Sequence, residues 1–249
     1  MSVAEKEKII TVWGSPHSGK TTFALKLAEA LYEKTKATVI VLFCDITTPT
    51  LPILFPNHKA SDLYSIGTVL SKTDIFANDV VSNLITLKER MNLGFLGYRN
   101  KENHFQFPEY TEEKVGELFR ALREVADYIV VDCETNPQNS VLTDYTMKHA
   151  DVMCKLATPD LSCLSFYQSQ NGVMIAGGYY PPEQLLVMNI PSDDLTMLST
   201  DTGAHLGKVG LVVPYSQTLR EQYLEGKLVL PTHDRRYMQA IRAAVEAVR

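Results

Sequence analysis

The sequence predicts an α/β fold with three layers, in which helices cover both faces of a mostly parallel central sheet. Short β-branched segments alternate along the chain with segments in which apolar residues recur at helical spacing, and this alternation is typical of parallel sheets. The segments Val39–Cys44 and Tyr128–Val131 are almost entirely apolar, as expected of strands buried on both faces. Because no repeat and no Ser/Gly-rich linker divides the chain, we predict that residues 1–249 form a single domain.

The predicted strands are short runs rich in Val, Ile and Leu. They are Ile9–Trp13, Val39–Cys44, Met91–Leu96, Tyr128–Asp132, Val152–Ala157, Leu185–Ile190 and Val209–Val213. The predicted helices have apolar residues at intervals of three and four, and two of them follow an Asp that can cap a helix. They are Thr21–Lys34, Glu112–Ala126, Val141–His149, a helix after Asp160, Leu219–Glu225 and a helix after Asp234. We predict a loop over Thr47–Pro56 and short helical pieces between Ser61 and Arg90.

The composition is that of an ordinary globular protein. The chain has 249 residues, with 24 Lys and Arg against 29 Asp and Glu, which gives a formal net charge of −5. This balance argues against a protein that coats nucleic acid or an anionic membrane. No apolar run is long enough to span a membrane and no signal peptide is evident. We therefore expect a cytoplasmic protein whose four cysteines are reduced core thiols.

The segment Gly14–Thr21 carries the strongest chemical signal. It fits the pattern G-x-x-x-x-G-K-S/T and lies between a predicted strand and a predicted helix. In such a phosphate-binding loop (P-loop), backbone N–H groups surround the phosphates, Lys20 reaches the β- and γ-phosphates, and the Thr21 hydroxyl binds Mg²⁺. The sequence therefore predicts a P-loop NTPase fold. The nucleotide ligands predicted in this segment are Gly14, Ser15, Pro16, His17, Ser18, Gly19, Lys20, Thr21 and Thr22.

Two aspartates end neighbouring predicted strands and are candidates for the metal site. Asp132 follows an apolar run, and Asp45 follows Cys44. Parallel strands bring their carboxyl ends to the same edge of the sheet, so both carboxylates should lie near the P-loop and orient Mg²⁺, its waters or the attacking water. Each can instead be a turn residue. Glu134 is a further candidate for a general base, and His17 either contacts phosphate or is solvated.

The serial order of features resembles the ParA/MinD group of P-loop ATPases over nearly the whole chain. The segments that carry the resemblance are Trp13–Thr22, Val39–Asp45, Tyr128–Asp132, Ala150–Asp160, Leu185–Asn189 and Val212–Pro214. The resemblance implies ATP or ADP with Mg²⁺ as cofactors, and Lys20, Asp45 and Asp132 as the catalytic group. It also implies that Asn189 and Pro214 flank the adenine, although Asn189 taken alone reads as a turn residue.

The chain departs from the family pattern at three places. Ser15 stands where the family carries a second, signature lysine that crosses a dimer, and Pro16 and His17 replace a pair of glycines. Thr47 stands where a second Asp is common. Hydrolysis can therefore be slow or absent. These departures are similar to those of the divergent TadZ/CpaE-like branch.

The function predicted from the sequence is an Mg·ATP-binding switch ATPase that positions or regulates a partner assembly. The resemblance implies a homodimer in the ATP-bound form and a protein partner from a pilus, secretion, conjugation or DNA-partition system. DNA binding by the arginines of the last helix is not favoured, and membrane insertion of that helix is not expected because its apolar face is small and rich in alanine. The alternatives are a small-molecule phosphotransferase resembling nucleotide kinases, and a module that binds nucleotide without hydrolysis.

Overall fold

The computed structural model describes residues 7–58, 63–192, 203 and 205–249. The strands are β1 (Lys8–Gly14), β2 (Val39–Phe43), β3 (Ile85–Leu87), β4 (Arg90–Leu96), β5 (Tyr128–Asp132), β6 (Val152–Ala157), β7 (Glu183–Asn189) and β8 (Leu211–Val213). The helices are α1 (Lys20–Thr35), α2 (Leu51–Leu54), α3 (Ile66–Leu70), α4 (Ala77–Val81), α5 (Glu112–Val125), α6 (Val141–His149), α7 (Leu161–Gly177), α8 (Gln217–Leu224) and α9 (Arg235–Val248).

The described strands form one sheet in the order β3-β4-β2-β5-β1-β6-β7-β8. Strand β1 lies in the middle of this sheet and runs parallel to both neighbours, so that Val12 pairs with Asp132 and Gly14 pairs with Leu156. Strand β2 lies on the other side of β5 and pairs Phe43 with Asp132. The carboxyl ends of these central strands therefore meet at one edge of the sheet. Only β3 and β4 pair in the antiparallel sense among the described strands.

Each face of the sheet buries its own apolar cluster. On one face, α1 and α9 contribute buried residues such as Phe23, Leu27 and Ile241. On the other face, α5 and α6 contribute residues such as Phe119 and Met147. The strands are buried between these two layers, which explains why they are apolar at nearly every position. The predicted three-layer α/β fold with a mostly parallel sheet is confirmed.

The C-terminal helix α9 packs against the rest of the protein. Its buried residues Tyr237, Ile241, Ala244, Val245 and Val248 belong to the cluster that also contains α1. Met238 is only partly buried and packs against the same cluster. No helix among the described residues is long and apolar enough to cross a membrane. All four cysteines are buried free thiols, as predicted.

The structure corrects several predicted elements. The predicted loop Thr47–Pro56 contains the short helix α2. The region predicted as helical pieces between Ser61 and Arg90 contains α3 and α4 but ends in strand β3, which the sequence did not indicate; its residues 61 and 62 lie outside the described part. Strand β3 has only three residues and is defined by pairing with β4, so it leaves little local pattern. The predicted strand Val209–Val213 is shortened to Leu211–Val213.

A buried lysine joins α1 to the turn before α9. Lys26 is fully buried, and its Nζ donates to Glu29 Oε2 at 2.9 Å and to the main-chain oxygens of Leu228 and Leu230 at 2.6 and 2.8 Å. Glu29 also forms an ion pair with Arg90 of β4 at 3.1 Å. A buried ammonium is tolerated only when each of its hydrogens has an acceptor. These contacts fix the turn at Leu228 against the helix that follows the P-loop.

We expect the K26M variant to be less stable than the wild type by about 3 kcal/mol, because the change leaves one buried carboxylate and two carbonyl oxygens short of a partner. Urea denaturation monitored by circular dichroism gives the free energy of unfolding. The matched control is K34M, since Lys34 lies on the same helix and pairs with Glu246 at the surface. The control should change the free energy by less than about 0.5 kcal/mol. Equal losses in both variants would contradict the role of the buried network.

Candidate functional site

The segment from Gly14 to Lys20 turns sharply between β1 and α1 because glycines stand where no side chain fits. A Cβ atom on Gly14 would lie 2.1 Å from the carbonyl oxygen of Leu156. Gly19 has a φ of +84°, and a Cβ there would lie 2.6 Å from Asn189 Nδ2. His17 also has a positive φ of 58° although it is not a glycine. No side chain caps α1, so the N–H groups of its first turn are available to an anion.

Lys20 extends back over the loop that precedes it. Its Nζ donates to Thr135 Oγ1 at 2.8 Å, to the carbonyl oxygen of Ser15 at 3.1 Å and to that of Gly14 at 3.3 Å. Burial lowers the pKa of Lys20, and the nearby carboxylate of Asp132 opposes this shift. The ammonium is thus held at the carboxyl edge of the sheet, where it can neutralise phosphate charge.

Thr21 and Asp132 are directly connected. The Thr21 hydroxyl donates to Asp132 Oδ2 at 2.6 Å, while Asp132 Oδ1 is buried without a hydrogen-bond partner. Burial raises the pKa of Asp132 to about 6, although the bond from Thr21 and the charge of Lys20 act in the opposite direction. A cation beside this carboxyl would favour its charged form.

These residues fit a magnesium ion. A hydroxyl and a carboxylate with a free oxygen are hard donors of the kind that Mg²⁺ prefers. No group of three or more His, Cys, Asp or Glu side chains in the described ranges could hold a metal ion. The pair formed by Thr21 and Asp132 suits Mg²⁺, because this ion usually keeps several waters and takes one or two carboxylates plus phosphate oxygens.

Asp45 lines the same cavity as Lys20, Thr21 and Asp132, and its carboxylate stabilises a turn. Its Oδ1 accepts a hydrogen bond from the Thr48 main-chain N–H at 2.8 Å, which is the turn interaction that the sequence allowed as an alternative. Its charge raises the pKa of both Asp132 and Glu134. The metal and catalytic roles of Asp45 stay predictions.

Glu134 is the third carboxyl group of the site. Burial is the main cause that raises its pKa to about 7, followed by the charge of Asp45, while a hydrogen bond from the Ile46 main chain opposes the shift. One carboxyl oxygen, Oε1, is buried without a partner. The main-chain N–H of Glu134 is anchored on Thr143 Oγ1 at 3.1 Å. A carboxyl group that titrates near neutral pH is suited to general acid–base chemistry.

Most of the predicted site residues converge on a cavity of about 600 Å³. Those that line it are Pro16, His17, Gly19, Lys20, Thr21, Thr22, Asp45, Asp132, Asn189 and Pro214. The predicted ligands Gly14, Ser15 and Ser18 do not line it. Ser18 Oγ instead donates to the Ser15 carbonyl oxygen at 2.8 Å, and Ser15 Oγ is buried without a partner. The side chains of Ser15 and Ser18 thus lie within the loop and do not contribute to the cavity wall.

Asn189 and Pro214 lie at the ends of the last two strands, on the side of the cavity away from Asp45. Asn189 ends β7, and its Nδ2 donates to the carbonyl oxygen of Ser18 at 2.9 Å. Pro214 follows β8. The structure therefore brings both residues to the cavity, and Asn189 contacts the P-loop directly.

Sequence reasoning missed part of the cavity wall. The residues concerned are Thr48, Thr135, Tyr215, Arg220, Tyr223, Leu228 and Tyr237. Thr135 follows Asp132 by three positions, and that proximity was the one available signal. Tyr215 adjoins Pro214. The residues of α8 and the turn at Leu228 reach the cavity only through the tertiary packing of the C-terminal segment.

Comparison with solved structures identifies the fold. The chain is similar to a ParA family ATPase from Chlorobium tepidum TLS, with a TM-score of 0.80 and 15% identity over 96% of this chain and 99% of that one. It is similar to the septum site-determining protein MinD from Pyrococcus horikoshii OT3, complexed with Mg-ADP, with a TM-score of 0.70 and 19% identity over 96% and 95%. It is also similar to a putative plasmid partition protein from Borrelia burgdorferi B31 bound to AMPPNP, with a TM-score of 0.73 and 18% identity over 97% of this chain and 98% of that one.

The chain therefore has the P-loop fold of ParA/MinD ATPases, as the sequence resemblance implied. No family model and no curated protein sequence matches it. The TadZ/CpaE-like branch stays a prediction.

The raised pKa of Glu134 makes stability depend on pH. Between its ordinary value near 4.5 and about 7, the folded protein holds a proton that the unfolded chain has lost, so stability falls as the pH rises through this window. The variant E134Q keeps an acceptor for the Ile46 N–H and removes the charge. We expect E134Q to be more stable than the wild type by about 1 to 2 kcal/mol at pH 8, because solvent screens part of the penalty on the Glu134 charge, and about equally stable at pH 5.

Urea denaturation at the two pH values measures this difference. The control E109Q changes an exposed glutamate. Its free energy of unfolding should differ from that of the wild type by the same small amount at both pH values. A gain for E134Q that is as large at pH 5 as at pH 8 would mean that the charge of Glu134 is not the cause.

Proposed function

We propose that the protein is an Mg·ATP-binding switch ATPase that resembles ParA and MinD proteins. One observation carries the proposal: Lys20, Thr21 and Asp132 lie together at one cavity, and Thr21 donates to Asp132 at 2.6 Å. In this arrangement Lys20 and the loop amides neutralise the phosphates. Thr21 and Asp132 hold Mg²⁺ or its waters, and the bound ion would stabilise charge on the phosphate oxygens. Asp45, and alternatively Glu134, orients the attacking water.

The proposed base is adenine. Asn189 Nδ2 donates one of its two hydrogens to the Ser18 carbonyl oxygen at 2.9 Å, and this bond orients the amide so that its oxygen is free to accept a hydrogen bond. An acceptor at this place favours the amino group at position 6 of adenine over the carbonyl oxygen of guanine. Pro214 and the apolar wall near Leu219 supply a surface on which the base packs.

We further propose that residues 1–249 act as one nucleotide-binding domain in the cytoplasm and form a homodimer when ATP is bound. The partner is a protein of a pilus, secretion, conjugation or partition system, and the similarity to a plasmid partition protein supports the last of these. DNA contact through the arginines of α9 remains the less favoured version, given the net charge of −5. The terminal phosphate would order the segments Thr47–Pro56 and Glu134–Ser140, so that a partner reads the nucleotide state.

A second candidate is a module that binds nucleotide without turnover. The observation that favours it is Ser15, which replaces a lysine of the family pattern and whose hydroxyl is buried. Hydrolysis of ATP in a single turnover, compared between the wild type and the K20A variant, separates the candidates. Equal rates in the two proteins would favour the module.

Loss of the Lys20 ammonium should abolish tight nucleotide binding. We expect the K20A variant to bind MgATP roughly 100-fold more weakly than the wild type, because charge-assisted hydrogen bonds to phosphate are lost. Isothermal titration calorimetry measures the affinity. K34A removes a cation from the far end of the same helix and should bind normally. In the D132N variant, the affinity for ATP measured with Mg²⁺ should be the same as the affinity measured with EDTA. Unchanged affinity in K20A would refute nucleotide binding at this loop.

Base selection should depend on Asn189. We expect the wild type to prefer ATP to GTP by at least about tenfold, since a misplaced acceptor leaves buried polar groups unpaired. The N189A variant should bind both nucleotides with similar affinity. Competition titrations with a fluorescent ATP analogue measure the two constants. A wild type that binds ATP and GTP equally would contradict the adenine assignment.

A further inference from the structure

The ammonium group of Lys20 has a protein acceptor for each of its three hydrogens. Two acceptors are main-chain oxygens of the loop itself, Gly14 and Ser15, at 3.3 and 3.1 Å. The third and shortest contact, 2.8 Å, is to Thr135 Oγ1, a side chain from the segment after β5. Because an ammonium has only three donors, a phosphate oxygen bound by Lys20 must share or displace one of these acceptors. Thr135 is the acceptor that lies outside the loop.

Thr135 is held from its other side by Trp13. The indole Nε1 donates to the main-chain oxygen of Thr135 at 3.0 Å. Trp13 is fully buried, and its ring lies 5.5 Å from that of Phe166 and 5.7 Å from that of Tyr167 on α7. The side chain of Thr135 thus faces the P-loop lysine, and its main chain faces a tryptophan that is packed under α7.

We infer that Thr135 is a positioning residue, which holds Lys20 for phosphate binding and transmits the engagement of Lys20 to Trp13. The inference rests on the proposed nucleotide site. The Thr135 hydroxyl accepts from Lys20 and keeps its own hydrogen to donate, so it can follow the ammonium or take a phosphate oxygen itself. Any displacement reaches Trp13 through the carbonyl group of the same residue. Because the neighbouring N–H of Glu134 is fixed on Thr143, the displacement is confined to Thr135 and the residues after it.

The chain offers a direct readout, because Trp13 is its only tryptophan. The tryptophan emission of the protein, excited at a wavelength that its tyrosines do not absorb, therefore comes from the side chain whose indole N–H contacts Thr135. The test variant is T135V, which removes the hydroxyl and keeps the carbonyl group that accepts from Trp13. T135S restores the hydroxyl. The matched control is T146V, because Thr146 is also fully buried but donates to Leu142 within α6, away from the site.

We expect MgATP to change the Trp13 emission of the wild type and of T146V. In T135V the affinity for MgATP should fall roughly tenfold, because the variant has no hydroxyl to hold Lys20 in place or to donate to a phosphate oxygen. The emission change at saturation should also be lost. T135S should recover both the affinity and the emission change. Calorimetry gives the affinity independently of fluorescence, and thermal unfolding confirms that each variant is folded.

Three results would overturn the inference: wild-type affinity in T135V, a full emission change in saturated T135V, or no recovery in T135S. A wild type that binds MgATP by calorimetry with unchanged Trp13 emission would also overturn it and would leave the proposed function intact. Failure of the proposed function itself is seen separately, as the absence of any heat of MgATP binding to the wild type.

Discussion

The structure depends on the position of β1 at the centre of a parallel sheet. Because β1 runs between β5 and β6 in parallel register, its carboxyl end delivers the P-loop to the same edge as Asp132. The close approach of Gly14 to the Leu156 carbonyl, where a Cβ would lie at 2.1 Å, fixes the path of the chain out of the strand. Helix α1 begins at Lys20, and the hydrogen bond from Thr21 to Asp132 joins this helix to β5, the strand beside β1 in the sheet. Each later feature of the site follows from this geometry.

Burial at this edge creates an electrostatic imbalance that a ligand can relieve. The cavity is lined by one lysine, Lys20, and by three carboxyl groups, those of Asp45, Asp132 and Glu134. Desolvation raises the pKa of Asp132 and Glu134 while it lowers that of Lys20. The charged forms of Lys20, Asp132 and Glu134 are thus penalised. A magnesium ion would stabilise the carboxylates, and a phosphate group would stabilise the ammonium, so the two ligands are favoured together rather than singly. This reciprocity is the physical reason to regard the site as one for a metal–nucleotide complex.

The sequence predicted what depends on local pattern and missed what depends on tertiary pairing. The P-loop, the apolar central strands and the caps Asp160 and Asp234 leave clear local signals, and the structure has them where they were expected. Strand β3 exists only through its pairing with β4. Likewise, no local pattern could show that Lys26 holds the turn at Leu228, or that α8 lines the cavity. The P-loop part of the site could be predicted because its pattern has a fixed spacing. The part of the cavity wall formed by residues such as Tyr215 and Arg220 could not, because it depends on tertiary packing.

The departures of this P-loop from the family pattern acquire a physical meaning in the folded chain. Ser15 cannot supply a second cation, and its hydroxyl is buried rather than directed into the cavity. Lys20 is therefore the one lysine or arginine of the loop. In the proposed function, whatever orients its ammonium group would decide how strongly a terminal phosphate is held. Two of its acceptors belong to the loop backbone and cannot vary without refolding the loop. The remaining acceptor, Thr135, is a side chain on the segment that also contacts Trp13, and this makes it the point at which phosphate binding and the packing of α7 can influence each other.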